Sequence, residues 1–256
     1  MDRPRRILVL VDDSLAARPV VTAAAAFAPL LDASLDLVQA GEDGVGTAAA
    51  VAATLGLELR RLDCDVMDCL GRELGADDLA AVVVGTRDSP ADGSSAGHVA
   101  RAVLERARGL VIVVPPFAES ILVDGVRRVL VPLDGSPEAD RAVGEIVRLL
   151  AGAEIAVVAV HVFEQATVPS FWVRPEHEAV AWRREFLRRA DLGTLDRLEL
   201  RSGRPSHRIL ELAEAEGVDA IALTTKAVPA AGRAAVLWDV VERSQVPVLV
   251  LPCARR

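Results

Sequence analysis

Long apolar runs are missing from this sequence of 256 residues. A helix needs roughly 20 consecutive apolar residues to cross a bilayer, and no stretch approaches that length. The apolar stretch after Arg6 is interrupted by Asp12 and Asp13 before it could form the core of a signal peptide. We therefore expect a cytoplasmic protein that does not associate with membranes.

Positive charge is in deficit. The 29 lysine and arginine residues are outnumbered by 37 aspartate and glutamate residues, which gives a net charge of -8 at pH 7. Binding to nucleic acid or to anionic membranes depends on clustered positive side chains, so we expect neither as a partner. A basic cluster, Arg183, Arg184, Arg188 and Arg189, recurs at helical spacing. We interpret it as a solvated helix face, with a recognition surface for an acidic partner as the alternative.

Cysteine is scarce, and tyrosine is absent. Cys64, Cys69 and Cys253 are odd in number and have neither C-x-x-C nor zinc-site spacing, so we expect reduced, unreactive thiols. Trp182 and Trp238 are among the few bulky rings. We interpret them as core or interface anchors rather than as platforms for stacking bases.

What the sequence does contain is an internal repeat. RRVLVPLDGSPEADRAV, residues 127–143, has a weaker copy in RRILVLVDDSLAARPVV, residues 5–21. Each copy has two arginines, a short apolar run, an aspartate, a turn residue and a serine. Such a run is typical of a strand buried on both faces of a parallel sheet, and the serine can cap the helix that follows. The repeat therefore predicts two tandem domains of roughly 120 residues each.

Strand and helix patterns alternate along both halves. This predicts two tandem doubly wound α/β domains, each with a five-stranded parallel sheet and four helices. The predicted strands are residues 7–11, 35–40, 57–62, 80–84 and 110–114 in the first half, and 129–133, 155–162, 195–201, 220–224 and 246–251 in the second. We assign residues 1–116 to the first domain, 117–126 to a linker and 127–256 to the second domain, because PPFAES has no sustained period.

Several segments resemble the universal stress protein family in its tandem form. They are VLVPLDGS in the second copy, VHVFE at residues 160–164, ILELAEAEGVDAIAL at 209–223 and SQVPVLVLP at 244–252. In the first half, DDLAAVVVGT and GHVARAVLERARGLVIVVPP are similar to the family's last two strands and the helix between them. The resemblance implies a Rossmann-like fold with strand order 3-2-1-4-5 in each domain, and a pseudo-dimer of the two domains. Ligands of such sheets lie outside the carboxyl ends of strands 1 and 4, where the strand order reverses.

Nucleotide-binding members of this family carry G-x-x-G, nine further residues and G-[ST] after the fourth strand, so that the backbone can approach phosphate. Gly85 and Gly97 fit the first and third glycines, but Asp88 replaces the second, the spacing is one residue short, and His98 replaces the serine or threonine. Asp88 is expected to repel a polyphosphate. GSSAGH, residues 93–98, still offers hydroxyl and N–H groups for an anion, so ATP is a candidate ligand of the first domain only. His98 is interpreted either as a donor to phosphate or as a solvent-facing residue.

In the second domain the turn DGS is intact, but the phosphate loop is lost. The family's glycine positions fall on Thr224 and Ala234, and its serine or threonine falls on Ala235. The resemblance implies that Asp134 hydrogen-bonds the ribose or base of a nucleotide. On the residues alone, Asp134 caps the turn before the helix. We therefore expect no phosphate binding in this domain.

The resemblance thus implies nucleotide contacts in both domains. They are Asp12, Ser14, Ala40, Gly85, Gly97, His98 and Val99 in the first, and Asp134, Gly135, Ser136 and Val162 in the second. His161 ends a buried strand near the last of these, and we interpret it as a satisfied core histidine, with a ligand role as the alternative. No catalytic residue and no metal ligand is predicted.

We expect a non-catalytic stress-response or regulatory protein that binds adenine nucleotide at most weakly, in the first domain. One alternative is a genuine ATP-binding sensor. A second is a nucleotide hydrolase or adenylating enzyme of related fold, although the DGS turn has no neighbouring transfer motif and no carboxylate cluster for Mg²⁺. The last strands, 110–114 and 246–251, are apolar edges, so we expect self-association through them, within one chain or in a homodimer. Other protein partners are not identified by the sequence.

Overall fold

The computed structural model describes residues 5–12, 16–39, 46–61, 66–86, 97–116, 118, 122, 125–164, 176–189, 192, 195, 197–225 and 231–253. The chain divides into two compact units. Unit 1 comprises Met1–Val126 and Ser244–Pro252, and unit 2 comprises Arg127–Arg243 and Cys253–Arg256. The last strand is thus grouped with unit 1, whereas we had assigned it to the second domain. The limits of a linker at 117–126 stay a prediction.

Unit 1 alternates strands and helices, and its sheet has the predicted order. Its elements are β1 (Arg5–Val11), α1 (Ala17–Leu31), β2 (Ala33–Gln39), α2 (Thr47–Thr54), β3 (Leu59–Arg61), α3 (Val66–Glu73), β4 (Leu79–Gly85), α4 (His98–Arg106), β5 (Leu110–Val114) and β10 (Val248–Pro252). The order β3-β2-β1-β4-β5 is parallel throughout. The fold class predicted from the apolar runs is therefore confirmed.

The edge of β5 is covered by β10, which runs antiparallel to it and places Leu249 opposite Ile112. Both strands are apolar, and a bare apolar edge would be open to pairing with other chains. The last strands of the two sequence halves therefore pair inside unit 1.

Unit 2 repeats the alternation of strands and helices. Its elements are β6 (Arg128–Pro132), α5 (Pro137–Gly152), β7 (Ala156–Phe163), α6 (Glu176–Arg189), β8 (Leu198–Ser202), α7 (Pro205–Glu216), β9 (Ala220–Thr225) and α8 (Ala231–Arg243). Its strands are parallel in the order β9-β6-β7-β8. The central strands are buried on both faces, which explains why β6 and β9 read as continuous apolar runs.

Polar groups fasten the amino-terminal edge of each sheet. In unit 1 the Arg6 guanidinium lies 2.7 Å from Asp36, 2.9 Å from Glu73 and 3.3 Å from Asp78. In unit 2 the buried carboxylate of Asp219 accepts hydrogen bonds from the backbone N–H groups of Arg127 and Arg128, at 2.7 and 2.8 Å. These contacts lie at the edge opposite to the one at which doubly wound sheets bind ligands.

One expectation about the cysteines fails. Cys69 is disulfide-bonded, so the prediction that all three cysteines are reduced is wrong for Cys69. Among the helices that the structure describes, none combines the length and apolarity that crossing a membrane requires.

Candidate functional site

A cleft lies at the carboxyl ends of β1 and β4 in unit 1. These two strands are neighbours, and their other neighbours, β2 and β5, lie on opposite sides, so this is the point at which the strand order reverses. We call this the unit 1 cleft. Its lining includes five of the residues predicted to contact nucleotide, namely Asp12, Gly85, Gly97, His98 and Val99. The described residues border a space of about 60 Å³ there, which can take a phosphate group.

Gly85 is the glycine at the end of β4. A Cβ atom built there would lie 3.0 Å from Cγ2 of Val20 on α1, closer than carbon atoms normally approach. The close approach of α1 to the sheet therefore requires a residue without a side chain at position 85. This packing role is separate from the approach to phosphate that the family resemblance implies.

Thr86 follows Gly85 in the cleft lining, and the sequence did not single it out. Its N–H donates to the Val114 carbonyl at 2.9 Å, and its hydroxyl donates to the same oxygen at 3.4 Å. These bonds hold the exit of β4 against β5. The available signal in the sequence was a polar residue directly after a strand predicted to be buried. The structure shows that Thr86 is itself buried, so its polar groups need partners.

The amino terminus of α4 forms one wall of the cleft. Gly97 is the residue before the helix, with φ −54° and ψ 151°, and no side chain caps the helix there. His98 is exposed at the first helical position and Val99 is half-buried. The first N–H groups of a helix have no intrahelical partner, and its amino-terminal end is electropositive. This wall can therefore attract an anion, whereas the carboxylate of Asp12 in the same lining opposes one.

Three of the residues implicated in the first domain lie outside the described residues. They are Ser14 and Ala40, which were predicted to contact nucleotide, and Asp88, which was predicted to repel it. The same holds for residues 93–96, before Gly97. Their roles stay predictions.

In unit 2 the turn after β6 has a defined geometry. The Asp134 carboxylate accepts a hydrogen bond from the Ser136 N–H at 2.7 Å, which is the turn-capping arrangement expected from the residues alone. Gly135 has φ 76°, a left-handed conformation that favours glycine. Ser136 precedes α5, but its hydroxyl makes no capping bond, so the prediction that it caps the helix is wrong. The helix start is instead fixed by the Asp134 turn and by Pro137 at the first position.

An aromatic cluster, defined by His161, Phe163, Trp182 and Phe186, lies beside this turn. His161 of β7 donates from Nδ1 to the Leu133 carbonyl at 2.8 Å. The centroid of its ring lies 4.6 Å from that of Phe163, 5.5 Å from that of Trp182 and 4.9 Å from that of Phe186. Burial lowers the pKa of His161, against the opposing effects of the Leu133 carbonyl and Asp134.

The sequence singled out His161 and Trp182 separately but did not predict their contact, because it depends on how α6, which carries Trp182, packs against β7, which carries His161. Val162, a predicted nucleotide contact, lies between His161 and Phe163 along β7 and therefore points to the opposite face of the sheet.

The first turn of α5 is crowded with carboxylates. Burial, and then the charges of Asp134 and Glu138, raise the pKa of Asp140 to about 6. Within the described part of the chain, no group hydrogen-bonds to the buried atoms Asp140 Oδ1 and Ser136 Oγ.

In unit 2 the positions aligned with the family's last glycine and its serine or threonine, Ala234 and Ala235, lie inside α8, and Thr224 lies within β9. Over the described ranges, no group of three or more His, Cys, Asp or Glu side chains is placed to hold a metal ion.

The comparisons with known proteins bear on the whole arrangement. The family model described as "Universal stress protein family" matches residues 125–252, half of the chain. The chain belongs to the universal stress protein family. No curated protein sequence matches it significantly.

Three solved structures are similar over nearly the full chain. A putative universal stress protein from Pseudomonas aeruginosa UCBPP-PA14 has 16% identity and a TM-score of 0.66, over 97% of this chain and 93% of that one. A functionally unknown protein from Pseudomonas aeruginosa PAO1 has 16% identity and a TM-score of 0.67, over 98% and 93%. A universal stress protein from Archaeoglobus fulgidus DSM 4304 has 16% identity and a TM-score of 0.65, over 97% and 96%. At this identity the likeness establishes the fold.

Proposed function

We propose that this member of the universal stress protein family is a non-catalytic regulatory protein of the stress response, which binds adenine nucleotide weakly through the unit 1 cleft. The observation that carries the proposal is the position of that cleft. Asp12, Gly85, Gly97, His98 and Val99 line it together, at the reversal point of the strand order.

The amino terminus of α4 supplies the attraction for phosphate. Gly97 has no side chain to occupy the space before the helix, and the first N–H groups of α4 border the cleft. Anions are stabilised at helix amino termini by such N–H groups and by the helix dipole. We propose that a phosphate group lies there, with His98 beside it.

The binding is weak because negative charge lies beside the attractive wall. The Asp12 carboxylate is part of the cleft lining, and Asp88 replaces the second glycine of the family's phosphate loop in the sequence. Like charges at close range oppose each other. We expect a Kd for ATP on the order of 0.1–1 mM.

Titration calorimetry with ATP tests this proposal. Wild type should release saturable heat, and Gly97→Asp should release none, because a third carboxylate would stand where phosphate is held. Gly109→Asp is the matched control, since a side chain added at Gly109 meets no atom within 4 Å and lies outside the cleft lining. No heat from wild type, or equal heat from wild type and Gly97→Asp, would overturn the proposal.

An ATP-binding sensor is the second candidate, and the glycine before α4 favours it. A Kd in the low micromolar range in the same titration would support the sensor over the weak binder. Release of inorganic phosphate from ATP above background would instead favour a nucleotide hydrolase and contradict the non-catalytic assignment.

The pairing of β10 with β5 supports self-association of the last strands within one chain. We propose that this pairing replaces the homodimer contact, and that the protein is a cytoplasmic monomer. Light scattering at micromolar concentration should give the mass of one chain, and the mass of two chains would favour the homodimer.

A further inference from the structure

The disulfide-bonded Cys69 lies in helix α3 of unit 1. Its side chain is buried, and so is that of Leu70 beside it. At the end of the same helix, the Glu73 carboxylate lies 2.9 Å from the guanidinium groups of both Arg6 and Arg60. Helix α3 therefore has three kinds of constraint, which are a covalent bond, apolar packing and ion pairs.

Helix α3 depends on these constraints because it is short. It has eight residues, Val66–Glu73, and it includes Gly71. Isolated helices of fewer than about 12 residues are marginal in water, and a glycine in the helix destabilises them further. A disulfide stabilises chiefly by restricting the conformations of the opened chain. Breaking the Cys69 bond should therefore make α3 open more often, while the ion pairs of Glu73 keep its end attached.

The sulfur of Cys69 has a positive group beside it. Nη2 of Arg72, one turn further along α3, lies 4.0 Å from Cys69 Sγ. A neighbouring cation stabilises a thiolate, which is the leaving group when a disulfide is reduced and the nucleophile when it forms again. Cytoplasmic disulfides are usually transient or redox-sensing, because that compartment keeps thiols reduced. The cytoplasmic location proposed above and the Arg72 contact together point to a bond that is both made and broken.

Helix α3 packs against α4, which carries the effect to the unit 1 cleft. The amino terminus of α4, at His98, is the wall of the cleft that attracts anions. Ala100 and Val103 of α4 are buried, so the position of this helix depends on the elements packed against it. When α3 opens, α4 loses support on one side, and its first N–H groups are held less firmly at the phosphate position.

We propose that the Cys69 disulfide is a redox switch that controls anion binding in the unit 1 cleft. The effect on nucleotide rests on the function proposed above. A cellular dithiol reduces the bond in two exchange steps through a mixed disulfide, so the protein gains two electrons and two protons and the dithiol becomes a disulfide. Helix α3 then opens more often and nucleotide binds more weakly. In the reverse direction, hydrogen peroxide accepts two electrons and the two thiol protons and becomes two molecules of water.

Comparing the oxidised and the reduced full-length protein tests the switch. Because the sequence has three cysteines and Cys253 is free, a thiol reagent should titrate one thiol per unfolded chain before treatment with dithiothreitol and three after it. Hydrogen exchange of α3 and α4, followed by mass spectrometry, should be at least roughly fivefold faster in the reduced protein. Helix α7 of unit 2 is the internal reference and should not change. Three thiols before treatment, or equal exchange in both states, would overturn the proposal.

Two cysteine variants assign the effect to this bond. Cys69→Ser should exchange like the reduced protein with or without dithiothreitol. Cys253→Ser is the matched control, since Cys253 is a buried cysteine that forms no disulfide, and this variant should still respond to dithiothreitol. If circular dichroism shows that Cys69→Ser is unfolded, Cys69→Ala takes its place, because alanine adds no buried polar group. A Cys69 variant that still responds to dithiothreitol would contradict the switch.

Calorimetry with ATP measures the output of the switch. The Kd should be roughly fivefold higher for reduced wild type and for Cys69→Ser than for oxidised wild type. Faster exchange of α3 with an unchanged Kd would contradict control of the cleft. An absence of heat in every state would instead overturn the proposed nucleotide binding, and the exchange comparison would then decide by itself whether the bond controls α3 and α4.

Discussion

Replacing Gly85 with alanine would place a methyl group 3.0 Å from Cγ2 of Val20. Carbon atoms pack at about 3.5–4.0 Å, so α1 or the side chain of Val20 must move. Overpacking of this kind costs about 1–3 kcal/mol. The reduced freedom of the unfolded chain offsets about 0.4–1 kcal/mol of that cost. Taking the middle of both ranges, we expect Gly85→Ala to destabilise the protein by about 1.3 kcal/mol.

Val20→Ala removes the atom that the new methyl group meets. Val20 is buried, so this substitution alone should cost about 1.5–3 kcal/mol. In the double variant the alanine methyl group at 85 fills part of the space that Val20 vacates. The two substitutions should therefore be coupled favourably by about 1–2 kcal/mol, instead of adding independently.

Urea unfolding followed by circular dichroism measures all four corners of this cycle. Gly109→Ala is the control, because its added methyl group meets nothing within 4 Å, so only the effect on the unfolded chain remains and stability should rise by about 0.4–1 kcal/mol. A Gly85→Ala variant as stable as wild type would refute the packing argument, and so would strictly additive single and double variants.

The same variants decide what the glycine is for. If Gly85 serves only the approach of α1, ATP binding should be weakened in Gly85→Ala and restored in the double variant. If the backbone at residue 85 itself approaches phosphate, binding should stay weak in both.

Two further predictions concern unit 2. Because the folded pKa of Asp140 is raised from 3.8 to about 6, the folded state binds its proton more strongly. The associated stability is complete below about pH 4 and is lost as the pH rises through 6. Asp140→Asn should therefore raise the urea midpoint at pH 8 and have little effect at pH 4; a gain independent of pH would contradict this. Asp219→Ala should cost about 2–4 kcal/mol, because it leaves two backbone N–H groups without their acceptor. Asp77 is the control, because it is an exposed aspartate just before β4, as Asp219 stands just before β9. A loss of stability from Asp77→Ala as large as that from Asp219→Ala would count against the two hydrogen bonds.

The central strands were predictable because they are buried on both faces. Their apolar runs, such as Ala80–Val84, have no polar residue to obscure them. The edge strand β3 is shorter than predicted, since its arginines are exposed and only residues 59–61 pair with β2. Local pattern is a weaker guide where one side of a strand faces water.

The unit 1 cleft was predictable to the extent that it follows from topology. The ends of neighbouring parallel strands meet at one edge, so Asp12 and Gly85 had to come together, and Gly97 followed from the start of the next helix. The Phe186 contact with Gly135 was not predictable, because it depends on the position of α6 over the sheet. The disulfide of Cys69 was missed for a related reason, since pairing depends on proximity in space and no spacing rule identified it.

The placement of β10 beside β5 also has a consequence for synthesis of the protein on the ribosome. Unit 1 takes its final strand from residues 248–252, so its sheet stays incomplete until those residues have been translated. During that interval the apolar edge of β5 is exposed to other nascent chains. The addition of β10 therefore acts as the closing step in the folding of unit 1, whose other strands are made before unit 2.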